Sequence, residues 1–217
     1  MLEVSFEARI VRDSWDGGEE VSKDVFAFIS KRGDNLAWCR VYVDIFGETE
    51  TAAAVKIGEM MFYAYNASRC DLNLDAEEFE YLDPEETLFA LMDDESEDLM
   101  HYYYDFGTLY EHIKPYDTEP LFFTEDLHII ALHRLFIEPE YRGLGIGRFI
   151  VNNLSKIIFA TSNIKPVYVV GCISPDDKTE ATKAIQKKTM ESANYAILED
   201  EEGHCIFGKC IFDEDII

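Results

Sequence analysis

The residues with the clearest chemical potential stand together in Arg142-Gly143-Leu144-Gly145-Ile146-Gly147-Arg148. Three glycines at alternate positions permit a tight backbone turn, and two fixed positive charges flank them. Before the turn, Leu127 to Ile137 is rich in Ile, Leu and Phe, as a largely buried strand should be, and Pro139 ends it because proline cannot donate to a ladder. After the turn, Ile146, Phe149, Ile150, Leu154, Ile157 and Ile158 recur at helical spacing as far as Thr161. A strand, a glycine-rich turn and a helix N-terminus gather unpaired backbone N–H groups around one point, where the helix dipole also favours negative charge. The chemistry of such a place is anion binding, and with Arg142 and Arg148 beside it the expected anion is a pyrophosphate. Two familiar phosphate loops are excluded: there is no G-x-x-x-x-G-K-[ST], and R-G-L-G-I-G is not G-x-G-x-x-G.

The elements that would position this loop follow from periodicity. Val4 to Arg12 alternates apolar and polar residues, as a half-buried first strand does. Beyond the Asp16-Gly17-Gly18 turn, Val21, Val25, Phe28 and Ile29 predict a helix over Glu19 to Lys31, stopped by Gly33. Leu36 to Phe46 and Val55 to Tyr65 read as two strands separated by Gly47 to Ala54. In 71–126, Asp83-Pro84-Glu85-Glu86 looks like a capped helix start continued by Leu88, Leu91, Met92 and Leu99, and a second aromatic helix runs from His101 to Ile113. Val167 to Ile173 is a short buried strand, Thr179 to Ala193 a helix with Lys183, Lys187 and Lys188 on its surface. Tyr195 to Leu198 and His204 to Phe212 close a hairpin.

Length and composition bound the answer. The 217 residues suffice for one substantial core, so a single domain over 1–217 is expected, with 71–126 as an insertion. The formal net charge is -25, which argues against nucleic-acid binding, since neutralising phosphates needs a basic face. The charge is uneven: residues 1–126 hold 31 acidic and 9 basic residues, and 71–126 alone holds 19 acidic residues against a single Lys114. No apolar run reaches 18 residues and no basic, apolar leader opens the chain, so neither a membrane span nor a secretory signal is expected and the chain reads as cytoplasmic. The cysteines Cys39, Cys70, Cys172, Cys205 and Cys210 are odd in number and lack C-x-x-C spacing, which suits reduced, mostly buried thiols. No metal-ligand spacing is present.

At the loop the sequence resembles the GNAT superfamily of acyl-CoA-dependent N-acyltransferases. Its signature R/Q-x-x-G-x-G/A is matched by Arg142, Gly143, Leu144, Gly145, Ile146 and Gly147, and the preceding Leu135, Ile137, Pro139 and Tyr141 are similar to the family's strand ending. The resemblance implies an α/β fold of the mixed α+β kind: a central, mostly antiparallel sheet flanked by helices, here with an acidic helical insertion before the central strand. It implies acetyl-CoA as co-substrate, held by Leu135, Phe136, Ile137, Arg142, Gly143, Leu144, Gly145, Ile146, Gly147 and Arg148. It further implies transfer to a primary amine by direct attack in a ternary complex, and it is compatible with a homodimer. The acidic insertion suggests a cationic acceptor, either a small molecule or a basic peptide.

Such an attack needs a general base, and the resemblance points to His133, on the central strand where some members carry a His or Glu facing the acceptor. Simple alternation puts His133 in phase with Leu135 and Ile137 and puts His128 and Glu138 on the opposite face. The family's frequent Tyr acid has no counterpart: Asn194-Tyr195 takes the place of a Gly-Phe pair, which leaves Met190 at the acid's position. Tyr102, Tyr103, Tyr104 or Tyr195 are the available substitutes. That absence keeps a second reading open, a non-catalytic CoA-binding module whose acidic insertion docks a basic partner.

Overall fold

The computed structural model describes residues 3–13, 19–22, 38–49, 52–66, 128–173, 179–199 and 205–211. Eight strands form one sheet: β1 (Glu3–Asp13), β2 (Glu19–Ser22), β3 (Trp38–Thr49), β4 (Ala52–Asn66), β5 (His128–Ile137), β6 (Pro166–Cys172), β7 (Ala196–Glu199) and β8 (Cys205–Cys210). Their spatial order is β2-β1-β3-β4-β5-β6-β8-β7. Every pairing is antiparallel except β5 with β6, whose strands run parallel and are joined through two short helices, α1 (Ile146–Asn152) and α2 (Leu154–Ser162). A third helix, α3 (Glu180–Ser192), lies between β6 and β7 in sequence. This is the mixed, mostly antiparallel sheet with helices expected from the resemblance.

The core occupies the helix-bearing face. Ile10, Val41, Val43, Ile45, Ile57, Met60, Phe62, Ile130 and Leu132 from the sheet pack with Ile146, Ile150, Val151, Leu154, Ile157, Ile158 and Met190 from the helices. The register shows why these side chains share a face: Ile10 pairs with Val41, Val41 with Phe62, and Phe62 with Leu132, so a β-branched or large apolar residue meets its like on successive strands. The opposite face carries Arg9, Tyr42, Asp44, Glu59, Met61 and Tyr63 at the alternate positions.

Two expectations are corrected. Glu19–Ser22 is a strand, not the first turn of a helix: it folds back on β1 with Val21 opposite Val11 and Ser22 opposite Ile10. Sheet pairing with β1 overrides the weak helical spacing of Val21 with its successors, which lie outside the described residues. The helix expected over Ile146 to Thr161 is broken at Asn153, whose amide nitrogen donates to Phe149 O (2.8 Å) while its backbone N–H is shared between Phe149 O and Ile150 O. Phe149, counted with the apolar stripe, stands exposed, while the other five members of that stripe are buried. Both helices proposed within 71–126 lie outside the described residues, as does Cys70. Cys39, Cys205 and Cys210 are buried and outside any disulfide, and Cys172 is half-buried; burial raises the titration of Cys205 and Cys210 above the ordinary thiol range.

The C-terminal elements are tied by charge. Thr179 caps α3 by accepting from Thr182 N–H at 3.3 Å. From the same helix Lys183 and Lys187 both donate to the carboxylate of Glu199 on β7, at 2.8 and 2.5 Å. The Lys183 hydrogen bond, then the Lys187 one, lower the Glu199 carboxyl from 4.5 to about 2. Among the described residues no helix is long and apolar enough to cross a membrane.

Candidate active site

Strand β5 ends in a single 3-10 turn, Pro139–Tyr141, which delivers the glycine loop. The turn is pinned at both ends: Glu138 N–H donates to Ile57 O on β4 at 2.9 Å, and Arg142 N–H donates to Pro139 O at 3.2 Å. Gly143 and Gly145 then take φ of 78° and 82°, the left-handed region in which a Cβ would crowd the following carbonyl. A Cβ at Gly143, Gly145 or Gly147 would meet nothing within 4 Å, so the loop fronts open space. The carbonyl of Gly145 starts α1 by accepting from Phe149 N–H at 2.9 Å. Among the described residues, no backbone carbonyl accepts from the N–H groups of 143–148. Six such donors in one short stretch beside open space can hold an anion with several oxygens.

Arg142 is the brace of this loop. Its Nε donates to Ile137 O at 2.7 Å, and its guanidinium lies 5.3 Å from the centroid of the Phe136 ring. The side chain therefore bends back over the strand it follows, and its terminal nitrogens stay at the exposed surface beside the loop. Arg148 and Leu144 are exposed, while Ile146 is buried in the core and anchors the start of α1.

The strand leading to the loop departs from regular geometry where the chemistry is expected. Phe62 pairs with Leu132 but Met61 pairs with Arg134, so His133 is an extra residue in β5, a bulge. The bulge reverses the phase of everything after it. Ile130 and Leu132 face the core before it, and Leu135 and Ile137 pack against that core after it. His133 therefore does not share a face with Leu135 and Ile137, as unbroken alternation would have it. It lies on the opposite face, edge-on to the ring of Tyr63 with centroids 5.9 Å apart and an interplanar angle of 88°. Arg134 and Phe136 share that face, since their register partners Met61 and Glu59 do. Glu138, two residues beyond Phe136, follows the same parity, so it joins the His133 side, while His128 keeps the parity of Ile130.

At the same point β5 loses its other neighbour. Parallel pairing with β6 runs from His128 opposite Pro166 to Leu132 opposite Gly171 and stops, although β5 continues to Ile137. A gap thus opens along the β6 edge of residues 133–137. Because Glu138 N–H points to β4, the strand's alternation directs the N–H groups of Ile137 and Leu135 into the gap. The carbonyl of Ile137 on that edge is the one Arg142 occupies. Phe136 contributes differently: its backbone faces β4, and its ring supports Arg142 and Arg134, each 5.3 Å from its centroid.

Sequence reasoning missed Tyr63, Arg134 and the bulge. The trace of the bulge was present: His133 and Arg134 are adjacent polar residues inside an apolar run, where strict alternation allows only one. Met190 and Tyr195 are both buried on the helix-bearing side of the sheet, Tyr195 edge-on to Phe207 at 5.5 Å. Tyr102, Tyr103 and Tyr104 lie outside the described residues.

The family model for "Acetyltransferase (GNAT) family" matches residues 70–187, more than half of the chain and all of the loop just described. No curated protein matches significantly. Among solved structures the chain is similar to Arabidopsis thaliana NAA60 in complex with acetyl-CoA, at 12% identity and a TM-score of 0.40, covering 78% of this chain and 76% of that one. It is also similar to the Drosophila melanogaster polyamine N-acetyltransferase (9% identity, TM-score 0.39, 77% and 74% covered). A third is the arylalkylamine N-acetyltransferase 2 of Aedes aegypti (11%, 0.37, 78% and 73%). On the family match, the chain belongs to the GNAT acetyltransferases, acyltransferases that draw the acetyl group from acetyl-CoA.

Proposed function

We propose that this protein is an N-acetyltransferase that passes the acetyl group of acetyl-CoA directly to a primary amine of a cationic small molecule or basic peptide. The observation that carries this reading is a coincidence in space: the β5–β6 gap, the His133 bulge and the glycine loop follow one another along a single strand. The loop residues Gly143, Leu144, Gly145, Ile146, Gly147 and Arg148 present the N–H groups that suit a pyrophosphate, with Arg142 beside them. Leu135 and Ile137 offer N–H groups in the gap, where a thioester arm can lie between the strands and its carbonyl can be polarised. Phe136 keeps Arg142 in place.

Acetyl-CoA supplies an activated acetyl group on a thiol that leaves readily, so the chain's tasks are alignment and proton handling. His133 takes the proton from the acceptor's ammonium, directly or through a water, and the free amine that results attacks the thioester. The acidity of 71–126 supports a cationic acceptor, because a field of that sign concentrates cations near the protein.

The test is acetyl transfer followed by thiol release over a panel of amines, with Arg142→Ala and His133→Ala beside the wild type. Both variants should lose transfer, by about 10²–10⁴-fold for His133→Ala, whereas only Arg142→Ala should weaken the thermal shift given by acetyl-CoA. A wild-type protein that binds acetyl-CoA yet acetylates no amine sinks the proposal, and a fully active His133→Ala sinks the role given to that residue.

A further inference from the structure

Strand β6 parts from β5 at one residue and stays with β8. Its last parallel partner is Gly171, opposite Leu132, yet Cys172 still pairs with Ile206 on β8, and Ile173 N–H donates to Cys205 O at 2.7 Å. Cys172 is therefore held on the β6 border of the gap, at the end where the ladder closes. The next step of the same parallel register sets it across from His133. Alternation decides its side of the sheet. Val169 and Ile173 join the helix-bearing core, so Tyr168, Val170 and Cys172 take the other face, the one that carries His133. Along that face burial relaxes, from Tyr168 at 1% and Val170 at 3% exposed to a half-buried Cys172. The imidazole and the thiol thus flank the closed end of the gap from its two borders.

We propose that Cys172 is the general acid of the transfer, giving its Sγ–H proton to the CoA thiolate as the acetyl group departs. This rests on the gap as the seat of the thioester arm and on His133 as the base. An arm anchored by its pyrophosphate at the glycine loop runs back past Ile137 and Leu135, so its reactive end meets the closed end of the gap. A thiolate expelled there needs a proton close by. Of the residues bordering that end, 132–135 and 171–173, those with a polar hydrogen on the side chain are His133, Arg134 and Cys172. Arg134 does not give up protons and His133 is already taking one, which leaves the thiol. Met190 and Tyr195 are buried on the helix-bearing side, away from this face.

The protons balance. His133 removes one from the acceptor's ammonium, and the free amine attacks the thioester carbon. As the C–S bond breaks, the CoA sulfur leaves with the electron pair and takes the proton of Cys172. The nitrogen of the new C–N bond still carries one proton too many; it passes that proton to the Cys172 thiolate, and His133 releases its own to water. Thiols as a class titrate at about 8.5, so passing a proton from one to another is close to level.

The experiment compares full-length wild type, Cys172→Ala and Cys172→Ser with acetyl-CoA and a saturating amine, across the pH range. Both variants should lose about 10²-fold in kcat, the lower end of what a positioned acid contributes, while the calorimetric Kd for acetyl-CoA stays at the wild-type value. Serine should not rescue, because its hydroxyl is far too weak an acid. Wild-type kcat should fall above about pH 8.5 as the thiol ionises, and this alkaline limb should vanish in both variants. Among the described residues, the titratable or charged groups sharing the face of Cys172 on β5, β6 and β8 are His133, Arg134, Tyr168 and Cys210, and the substitutions remove none of them. A merely structural role would move the melting temperature and leave the limb in place. Wild-type kcat in either variant overturns the inference, as does a limb that survives the substitution. A wild-type profile without the limb overturns it whether or not the variants fold. So does an acetyl group found on Cys172 by mass spectrometry after acetyl-CoA is added without amine, since the thiol would then be a nucleophile. Transfer to no amine by the wild type would instead sink the acetyltransferase reading itself.

Discussion

Replacing glycines of the anion loop by alanine separates conformational strain from crowding. A Cβ at Gly145 or Gly147 meets nothing within 4 Å, so in the free protein neither substitution is opposed by contact. The backbone alone distinguishes them: Gly145 is held at φ 82°, whereas Gly147 is not among the positive-φ residues and sits in the first turn of α1. An L-residue in the left-handed region costs about 1–2 kcal/mol. For a chain of this length Gly145→Ala should therefore melt roughly 2–8 °C lower. Gly147→Ala should melt at the wild-type temperature or about 1–4 °C higher, because alanine removes unfolded-state entropy at a helical position. Asparagine tolerates the left-handed region, so Gly145→Asn should fall between. The loop can escape the strain by turning residue 145 to negative φ, but the N–H groups that follow would then turn away and acetyl-CoA affinity would fall instead. The assay is the melting temperature with and without acetyl-CoA at about one hundred times its Kd, where binding stabilises by about 2.7 kcal/mol. Gly145→Ala must lose in one measurement or the other, and Gly147→Ala in neither. A Gly145→Ala protein with both the wild-type melting temperature and the wild-type ligand shift would refute the assignment of this loop's conformation to its function.

Three further outcomes follow from the geometry. At Gly171 a Cβ would stand 2.5 Å from Phe207 Cζ and 2.7 Å from Leu132 O, so Gly171→Ala should lower stability by about 1–3 kcal/mol, read as a lower urea midpoint at unchanged slope; an unmoved midpoint contradicts it. Arg142→Lys removes the fork that reaches Ile137 O and should weaken acetyl-CoA binding about tenfold or more with little change in stability; calorimetry showing the wild-type Kd would refute this. The Glu199 clamp is pH-dependent in a definite direction. Its carboxyl is lowered from 4.5 to about 2 in the folded chain, so its stabilisation is fully present above pH 4.5 and is lost as pH falls toward 2. The difference in urea midpoint between wild type and Glu199→Gln should be constant from pH 5 to 7 and close across that window, and a difference that persists to pH 2 would show that charge is not its origin.

The loop, its strand and its helix were legible because their signals are local: alternate glycines, a proline stop and an apolar stripe over a few turns. The sheet was legible for the same reason, since β1, β3, β4 and β5 each carry long runs of β-branched and aromatic residues. What escaped is the relation between strands. Whether His133 faces the helix-bearing core or the opposite side of the sheet depends on Met61 pairing with Arg134 rather than with His133, a choice made with β4 and hinted within β5 only by two adjacent polar residues. Glu19–Ser22 escaped similarly, because its partner is β1 and not its own neighbours.

The brevity of the β5–β6 ladder has a mechanical consequence. Five strands, β2-β1-β3-β4-β5, stand on one side of it and three, β6-β8-β7, on the other, and the parallel register spans only His128 to Leu132. The sheet is thus two panels stitched along part of a common border, and the unstitched part is where the thioester arm would lie. A molecule lodged there touches both panels and completes the seam, so its binding stiffens the join between halves more than the interior of either. Amide exchange along Ile129–Leu132 and Tyr168–Gly171 should therefore slow on addition of acetyl-CoA while β1 and β3 stay as they were, making the co-substrate a temporary member of the sheet.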